Sequence, residues 1–452
     1  MLSFIFLLAS LFSIEAPSGA VGGASTFPVG GACTLSAQEA NSLTSPRYVI
    51  LITIDGMRAE MIDDPLMPSP FLKRMSREGL RVDRVIGVPP AATYPSHTTL
   101  VTGEVPARHR VFYNRPFLWN KDTARISYWY ADSIAVPTIW QRAHEAGLKT
   151  ASLFWPVSTG SPYIDYNVPE FWSLDYSCDQ MEYIKPSCTP LGILDELEQN
   201  ACGKLDTITY QAGSLQRDGR TAAMANYLMN HYQPQLMTIH LITTDYSQHA
   251  LGTQSQQLLE DVGSADHAVG TIIENLRLTH RLDSTVVIVT GDHGFCDYSQ
   301  TLSPNVWLTE GGLLSSEPGG EWKACFYAGG NTSFLYLKRG GDKKTLRRIR
   351  QLIDRLPADQ RSLFRVVEKD ELTAKGADSA AVLALEPVVG VAMTNNRTGA
   401  VVSQRKGGTH GFISGQDATT LIAWGAGITP QRQDSIRQTA IAPWILTMLG
   451  CR

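Results

Sequence analysis

Seven side chains in this sequence are of metal-binding or nucleophilic type and stand beside apolar runs or glycine turns: Asp55, Thr93, Asp245, His249, Asp292, His293 and His410. Three Asp and three His divide naturally into two borderline-hard sites of the kind that suits zinc, with manganese or a mixed pair as alternatives. Two metals roughly 3.5–4 Å apart can clamp the attacking and leaving oxygens of an in-line phosphoryl displacement. A neutral hydroxyl is a weak nucleophile at neutral pH, but a hydroxyl on zinc can react as an alkoxide. The set therefore points to metal-assisted phosphoryl chemistry, with two zinc ions as the expected cofactors.

Each residue also has a plainer reading. Asp55 ends an apolar run and precedes Gly56, where open α/β sheets place ligands but where an Asp can equally cap the next helix. Asp245 and His249, four apart, converge on one metal only if the segment turns helically. Asp292 and His293 would point to opposite faces of an extended strand. In a glycine-flanked turn, Gly291 to Gly294, both can face one ion, and the glycines suit crowding near a bound group. His410 in Gly407-Gly408-Thr409-His410-Gly411 could be an ordinary turn residue. Thr93 opens a helical pattern, so it could be an N-cap or could sit where a helix N-terminus cradles a phosphate.

The elements that must position these residues follow from apolar patterning. Tyr48–Ile54 is a nearly continuous β-branched run, as expected for a strand buried on both faces of a parallel sheet. Similar runs recur at Lys149–Phe154, Leu236–Thr243, Ser284–Thr290 and Thr419–Trp424. Helical patterns fall between them, near 68–78, 137–147, 219–232, 255–282 and 436–449. The alternation predicts an α/β fold, a mostly parallel central sheet with helices on both faces. Residues 331–400 read differently, as a small inserted α+β subdomain within a catalytic domain spanning 47–452. Its basic run Lys343–Arg348 reads as the solvated face of a helix.

The chain has 452 residues, 43% of them hydrophobic, and a formal net charge of -4. That is ample for a large core, and no basic stripe suggests a nucleic-acid partner. Leu2–Ile14 is an apolar run too short to span a bilayer, and Ser18-Gly19-Ala20 follows it. Residues 1–20 thus read as a cleaved signal peptide and 21–46 as a Gly/Ser-rich tail, implying a secreted or periplasmic protein with no transmembrane span. Seven cysteines suit export, with Cys178–Cys188 and Cys296–Cys325 as plausible pairs. Asn331-Thr332-Ser333 and Asn396-Arg397-Thr398 are glycosylation sequons.

Taken together, VILITIDGMR (Val49–Arg58), ATYPSHTTLVTGEVP (Ala92–Pro106), DYSQH (Asp245–His249), GDHGF and GGTHGF resemble the metal and nucleophile motifs of the alkaline phosphatase superfamily. Within it they resemble the nucleotide pyrophosphatase/phosphodiesterase branch. The resemblance runs from about residue 47 to the C-terminus, where Thr439–Pro443 looks like the superfamily's closing helix. It implies one zinc on Asp55, Thr93, Asp292 and His293 and another on Asp245, His249 and His410. It also implies Thr93 as nucleophile and Asn114 as a donor to a phosphoryl oxygen. Tyr94, Trp155 and Asn114 fall where the branch contacts substrate, a small phosphodiester or nucleotide.

Three departures weaken nucleotide preference. His240 stands where the branch usually carries a base-stacking aromatic, DYSQH lacks the usual Gly before its His, and Val157-Ser158-Thr159 replaces the commoner Gly and acidic residue. The alternatives are a phosphomonoesterase, a phosphonate hydrolase, a lipid head-group phosphodiesterase, a phosphotransferase or a non-catalytic binding protein. The matched motifs contain no evident Arg or Lys to neutralise a monoester's extra charge, which favours diester or pyrophosphate cleavage.

Overall fold

The computed structural model describes residues 46–118, 127–175 and 177–451. The signal segment 1–20, nearly all of the 21–46 tail and Cys33 lie outside them.

Fifteen strands run along the described chain. They are β1 (Tyr48–Ile54), β2 (Leu80–Ile86), β3 (Thr150–Leu153), β4 (Tyr166–Val168), β5 (Leu236–Leu241), β6 (Thr285–Thr290), β7 (Cys296–Leu302) and β8 (Ala324–Ala328). The rest are β9 (Ser333–Leu337), β10 (Phe364–Glu368), β11 (Leu383–Pro387), β12 (Gly390–Met393), β13 (Val402–Thr409), β14 (Thr419–Gly425) and β15 (Gln431–Arg437). Eight of them form the main sheet in the order β15-β2-β14-β6-β1-β5-β3-β4. Only β14 runs against its neighbours, pairing antiparallel with both β2 and β6; the other pairs are parallel.

β1 shows why the sheet needs cover on both faces. Ile50, Ile52 and Ile54 pack into one apolar cluster with the long helix Gln256–Leu278 and the helix Gln216–His231. Val49 and Leu51 point the other way, into a cluster with the C-terminal helix Ile441–Met448 and with Trp140 and Trp155. A strand alternates its side chains between faces, so an unbroken apolar run demands two cores.

The antiparallel sheet β10-β11-β9-β8 packs beneath the helix Lys343–Asp354, whose Thr345, Ile349 and Ile353 are buried while Lys343, Lys344, Arg347 and Arg348 face solvent. This sheet spans Ala324 to Pro387, starting ahead of residue 331. β12 belongs instead to a three-stranded sheet with β7 and β13.

Two expectations about surface chemistry are corrected. The six described cysteines are all unpaired, so neither Cys178–Cys188 nor Cys296–Cys325 is closed. Asn331 is buried, its amide donating to the Val391 carbonyl and accepting from Met393 N–H, which removes it as a glycosylation acceptor. Asn396 is exposed.

Candidate active site

The sheet order brings the three Asp residues together. β5, β1 and β6 are adjacent and parallel, so their carboxyl ends lie side by side, and Asp55, Asp245 and Asp292 each follow one of these strands. Beyond β5 the chain turns at once into the helix Thr243–Leu251, which sets Asp245 and His249 one turn apart. His410 arrives from β13, which ends at Thr409.

The helix Thr93–Thr102 has Ala92 at its N-cap and no side-chain cap, so the Thr93 hydroxyl is not used for capping. The glycines flanking Asp292 and His293 are crowded by protein rather than reserved for a ligand. A Cβ on Gly291 would stand 2.2 Å from Thr419 Oγ1, and one on Gly294 would stand 2.7 Å from the Ala418 carbonyl. The start of β14 presses on this turn and forces glycine on either side of the Asp-His pair.

The six Asp and His residues converge in two overlapping groups. Ligand-type atoms of Asp245, His249 and His410 lie within 4.8 Å of one another, as do those of Asp55, Asp245 and His293. Asp292 closes the second group, with Oδ2 3.2 Å from His293 Nε2. In the first group the tautomers are dictated by the backbone. His410 Nδ1 donates to the Ala91 carbonyl (2.9 Å) and His249 Nδ1 to the Gly408 carbonyl (3.2 Å). On a neutral ring each Nε2 then presents a lone pair, and the two Nε2 atoms face each other at 3.2 Å, with Asp245 Oδ1 at 3.4 and 3.9 Å. Two neutral rings so placed repel unless a metal ion or a shared proton lies between them. Zinc–nitrogen bonds of about 2.0–2.1 Å in tetrahedral geometry separate two ligand nitrogens by about 3.3 Å.

Buried atoms without partners tell the same story. Asp55 Oδ1, Asp245 Oδ1, Asp292 Oδ2 and His293 Nε2 have no hydrogen-bond partner, and orphaned buried groups of this kind are costly. Burial, reinforced by the Asp292 and Asp245 charges, pushes the Asp55 carboxyl well above its ordinary range. Burial holds His293 down at about 3 and His410 well below its usual value. Neutral imidazoles and crowded carboxylates are the donor set a divalent cation requires, so these residues fit a pair of metals.

The family model for type I phosphodiesterase / nucleotide pyrophosphatase matches residues 49–413. The chain belongs to that family. Murine (Mus musculus) ectonucleotide pyrophosphatase/phosphodiesterase family member 7 is 25% identical over 263 residues, 56% of this chain and 51% of that protein. Venom phosphodiesterase of Naja atra is 23% identical over 256 residues, 54% of this chain and 26% of that protein. The chain thus matches about half or less of the length of these relatives. Among solved structures, murine ectonucleotide pyrophosphatase / phosphodiesterase 5 superposes with a TM-score of 0.61 at 18% identity, covering 90% of this chain and 95% of the other. That likeness extends the shared fold beyond the part matched in sequence.

In this member of the type I phosphodiesterase family, Asn114 Oδ1 accepts the Tyr94 backbone N–H at 2.9 Å, which turns the Asn114 amide nitrogen into its outward donor. Tyr94 is buried, its hydroxyl donating to Glu170 at 2.8 Å and its ring 6.0 Å from Trp129. Trp155 is fully buried against Trp140 and the edge of His97, so it braces His97 and presents no face to solvent. His240 is buried between two carboxylates, 3.1 Å from Asp55 Oδ2 and 3.1 Å from Glu170 Oε2. Burial opposes its charge, but those two hydrogen bonds overcome it and push its pKa up to about 10. In place of a stacking ring, the chain holds a buried histidine that orients Asp55.

Three supporting residues escaped sequence reasoning. His97, inside the nucleophile motif, donates from Nδ1 to the Thr93 carbonyl and hydrogen-bonds Thr53 through Nε2, both at 2.8 Å. Burial, with the His240 charge beside it, holds it down at about 3. Glu170, two residues past the end of β4, links Tyr94 to His240; its place beyond a parallel strand was the available signal. Asp417 accepts from Gly411 and Phe412 N–H while its carbonyl accepts from Gly294 N–H, tying the two glycine-rich motifs together.

Proposed function

We propose that this chain hydrolyses phosphodiester or pyrophosphate bonds of small molecules, with Thr93 as nucleophile and two divalent cations, zinc by preference, in its site. One set of ligands is Asp55, Thr93, Asp292 and His293, and the other is Asp245, His249 and His410. The observation that carries this reading is the pair of Nε2 atoms of His249 and His410 facing each other at 3.2 Å, each imidazole locked in its tautomer by a backbone carbonyl. Family membership supports the reaction class, since the relatives are named nucleotide pyrophosphatases and phosphodiesterases. An inactive threonine-to-alanine variant of murine ectonucleotide pyrophosphatase / phosphodiesterase 5, in complex with AMP, supports both a threonine nucleophile and a nucleotide-sized substrate.

When bound, the cations would lower the pKa of the Thr93 hydroxyl and draw charge from the substrate oxygens. The chain's own part is positioning. The Thr93–Thr102 helix presents Thr93 at its first position, where N–H groups and dipole favour a phosphoryl group. Thr93 Oγ attacks phosphorus in line, a threonine–phosphoryl ester forms as the leaving oxygen departs, and water then cleaves the ester. The Asn114 amide donates to a non-bridging oxygen as charge builds. Asn114→Ala is expected to lower kcat by about 10²-fold with smaller change in KM, the size typical of one lost oxyanion donor; steady-state kinetics check it.

The N-terminal 20 residues support delivery to a secreted or periplasmic location. No helix among the described residues is long and apolar enough to cross a membrane. The reaction class is tested with purified protein on bis-p-nitrophenyl phosphate against p-nitrophenyl phosphate, with and without added zinc. Zinc-dependent preference for the diester is expected. Preference for the monoester would move the chain to phosphatase chemistry, and inactivity on both would sink the hydrolytic reading.

A further inference from the structure

Glu170 divides its two oxygens between different partners. Oε1 accepts from the Tyr94 hydroxyl at 2.8 Å, and Oε2 lies 3.1 Å from His240 Nδ1. That nitrogen also faces the Phe154 carbonyl at 3.1 Å. A carbonyl can only accept, so a ring hydrogen sits on Nδ1. The far nitrogen, Nε2, lies 3.1 Å from Asp55 Oδ2. A chain of hydrogen bonds therefore runs from Tyr94 through Glu170 and His240 to Asp55, and all four residues are at most 4% exposed.

The two ends of the chain are what give it a role. At one end His240 occupies Asp55 Oδ2, while Oδ1 is left without a partner, 3.5 Å from His293 Nε2. Which oxygen of Asp55 turns to the protein and which to the metal-type cluster is thereby fixed. At the other end Tyr94 directly follows Thr93, in the second position of the helix Thr93–Thr102, and Asn114 holds its N–H. A second contact closes the loop: His97, on the Thr93 carbonyl, packs its ring 4.3 Å from that of His240. Asp55 and Thr93 belong to one proposed ligand set, and Glu170 is the group through which their supports meet. Burying two carboxyl groups and an imidazole in one file is costly, and packing β1 against β5 requires none of them.

We propose that Glu170 is a positioning residue of this centre, its two oxygens setting Asp55 and Thr93 in register on the same ion. This rests on the ligand sets given above and adds to them a group, itself no ligand, on which one of the two ions depends. The other ion, on Asp245, His249 and His410, has its imidazoles fixed by the Gly408 and Ala91 carbonyls and should depend on Glu170 little.

The test measures zinc affinity by competition with a chelator, without substrate, in wild-type protein and in His410→Ala protein, where the Asp55 ion remains alone. Glu170→Gln keeps the shape of the side chain but exchanges one acceptor for a donor, so one of its two arms must fail. In the His410→Ala background it should weaken the remaining ion about 10–100-fold, the usual cost of losing a group behind a ligand. In otherwise wild-type protein it should weaken one ion by that factor and leave the other nearly unchanged. Tyr94→Phe cuts only the arm to the nucleophile, and should lower kcat about tenfold at nearly constant KM with both zinc affinities kept. A merely structural Glu170 would weaken both ions alike, which overturns the proposal, as do two unchanged affinities or an unchanged kcat in Tyr94→Phe. Should Glu170→Gln not fold, His240→Gln replaces it: selective weakening of the Asp55 ion is expected, and equal weakening of both overturns the proposal. Selective weakening in a protein that turns over no diester would leave the positioning role standing and discard the hydrolytic reading. Normal diester turnover with both affinities unchanged in Glu170→Gln would discard the role alone.

Discussion

Thr93→Ala is expected to lower diester turnover by about 10³-fold or more, roughly 4 kcal/mol of lost transition-state stabilisation, while bound metal and thermal stability stay close to wild type. The two halves of that expectation have separate causes. Activity falls because the attacking oxygen is gone and water must replace a positioned nucleophile. Stability holds because Thr93 makes no side-chain cap of its helix, whose N-cap is Ala92, and alanine is at least as good a helix former. His97 reaches the Thr93 carbonyl and not its hydroxyl, so the hydrogen bonds that seat the helix N-terminus survive. Metal is retained because the Asp and His side chains are untouched. Steady-state kinetics and elemental analysis on one preparation decide it. Turnover within a few-fold of wild type would remove Thr93 as nucleophile, and loss of both metals would recast it as a structural ligand.

His410→Ala and His249→Ala are each expected to reduce bound metal from about two ions per chain to about one, with loss of turnover of about 10²-fold or more. Losing even a supporting partner of a ligand costs roughly 10–100-fold in affinity or activity, so loss of a direct ligand should cost at least that. The two variants differ in a useful way. His410 is buried, whereas the His249 side chain is 47% exposed. Truncating His410 leaves a void and an unpaired Ala91 carbonyl, with a stability cost; truncating His249 leaves little. Equal metal loss with unequal loss of stability would identify the pair as ligands of one ion. Full stoichiometry in His249→Ala would break the proposed set. Removing metal from wild type with a chelator should also lower Tm, because Asp55, Asp245 and Asp292 then crowd together with nothing to balance them.

Much of this centre was open to reading from the chain alone. The β-branched runs ending in Asp55 and Asp292 predict buried parallel strands, and β1 and β6 occupy those residues. The four-residue spacing of Asp245 and His249 requires a helix to be useful, and the chain turns helical at Thr243. Local pattern suffices in these cases because strand period, helix period and glycine turns are decided over a few neighbouring residues. The strands β2, β7, β13 and β15 were not read. Charged residues interrupt the apolar pattern, Arg81, Asp83 and Arg84 in β2 and Arg432 and Asp434 in β15 among them, and the pairing is decided by distant partners.

Residue types and their spacing thus determined the chemistry on offer: an α/β sheet with three Asp, three His and a hydroxyl at its functional edge. Only the tertiary structure decided how that chemistry is held. The sheet order β5-β1-β6 makes neighbours of strands nearly two hundred residues apart, and His249 meets His410 across 161 residues of chain. Glu170 and Asp417 bind the motifs together, Thr419 imposes the glycine at 291, and burial removes Trp155 from the surface and Asn331 from glycosylation. The division has one physical cause. A residue's local conformation is set by its neighbours in sequence, but its burial, its protonation and its hydrogen-bond partners are set by whatever the folded chain packs against it.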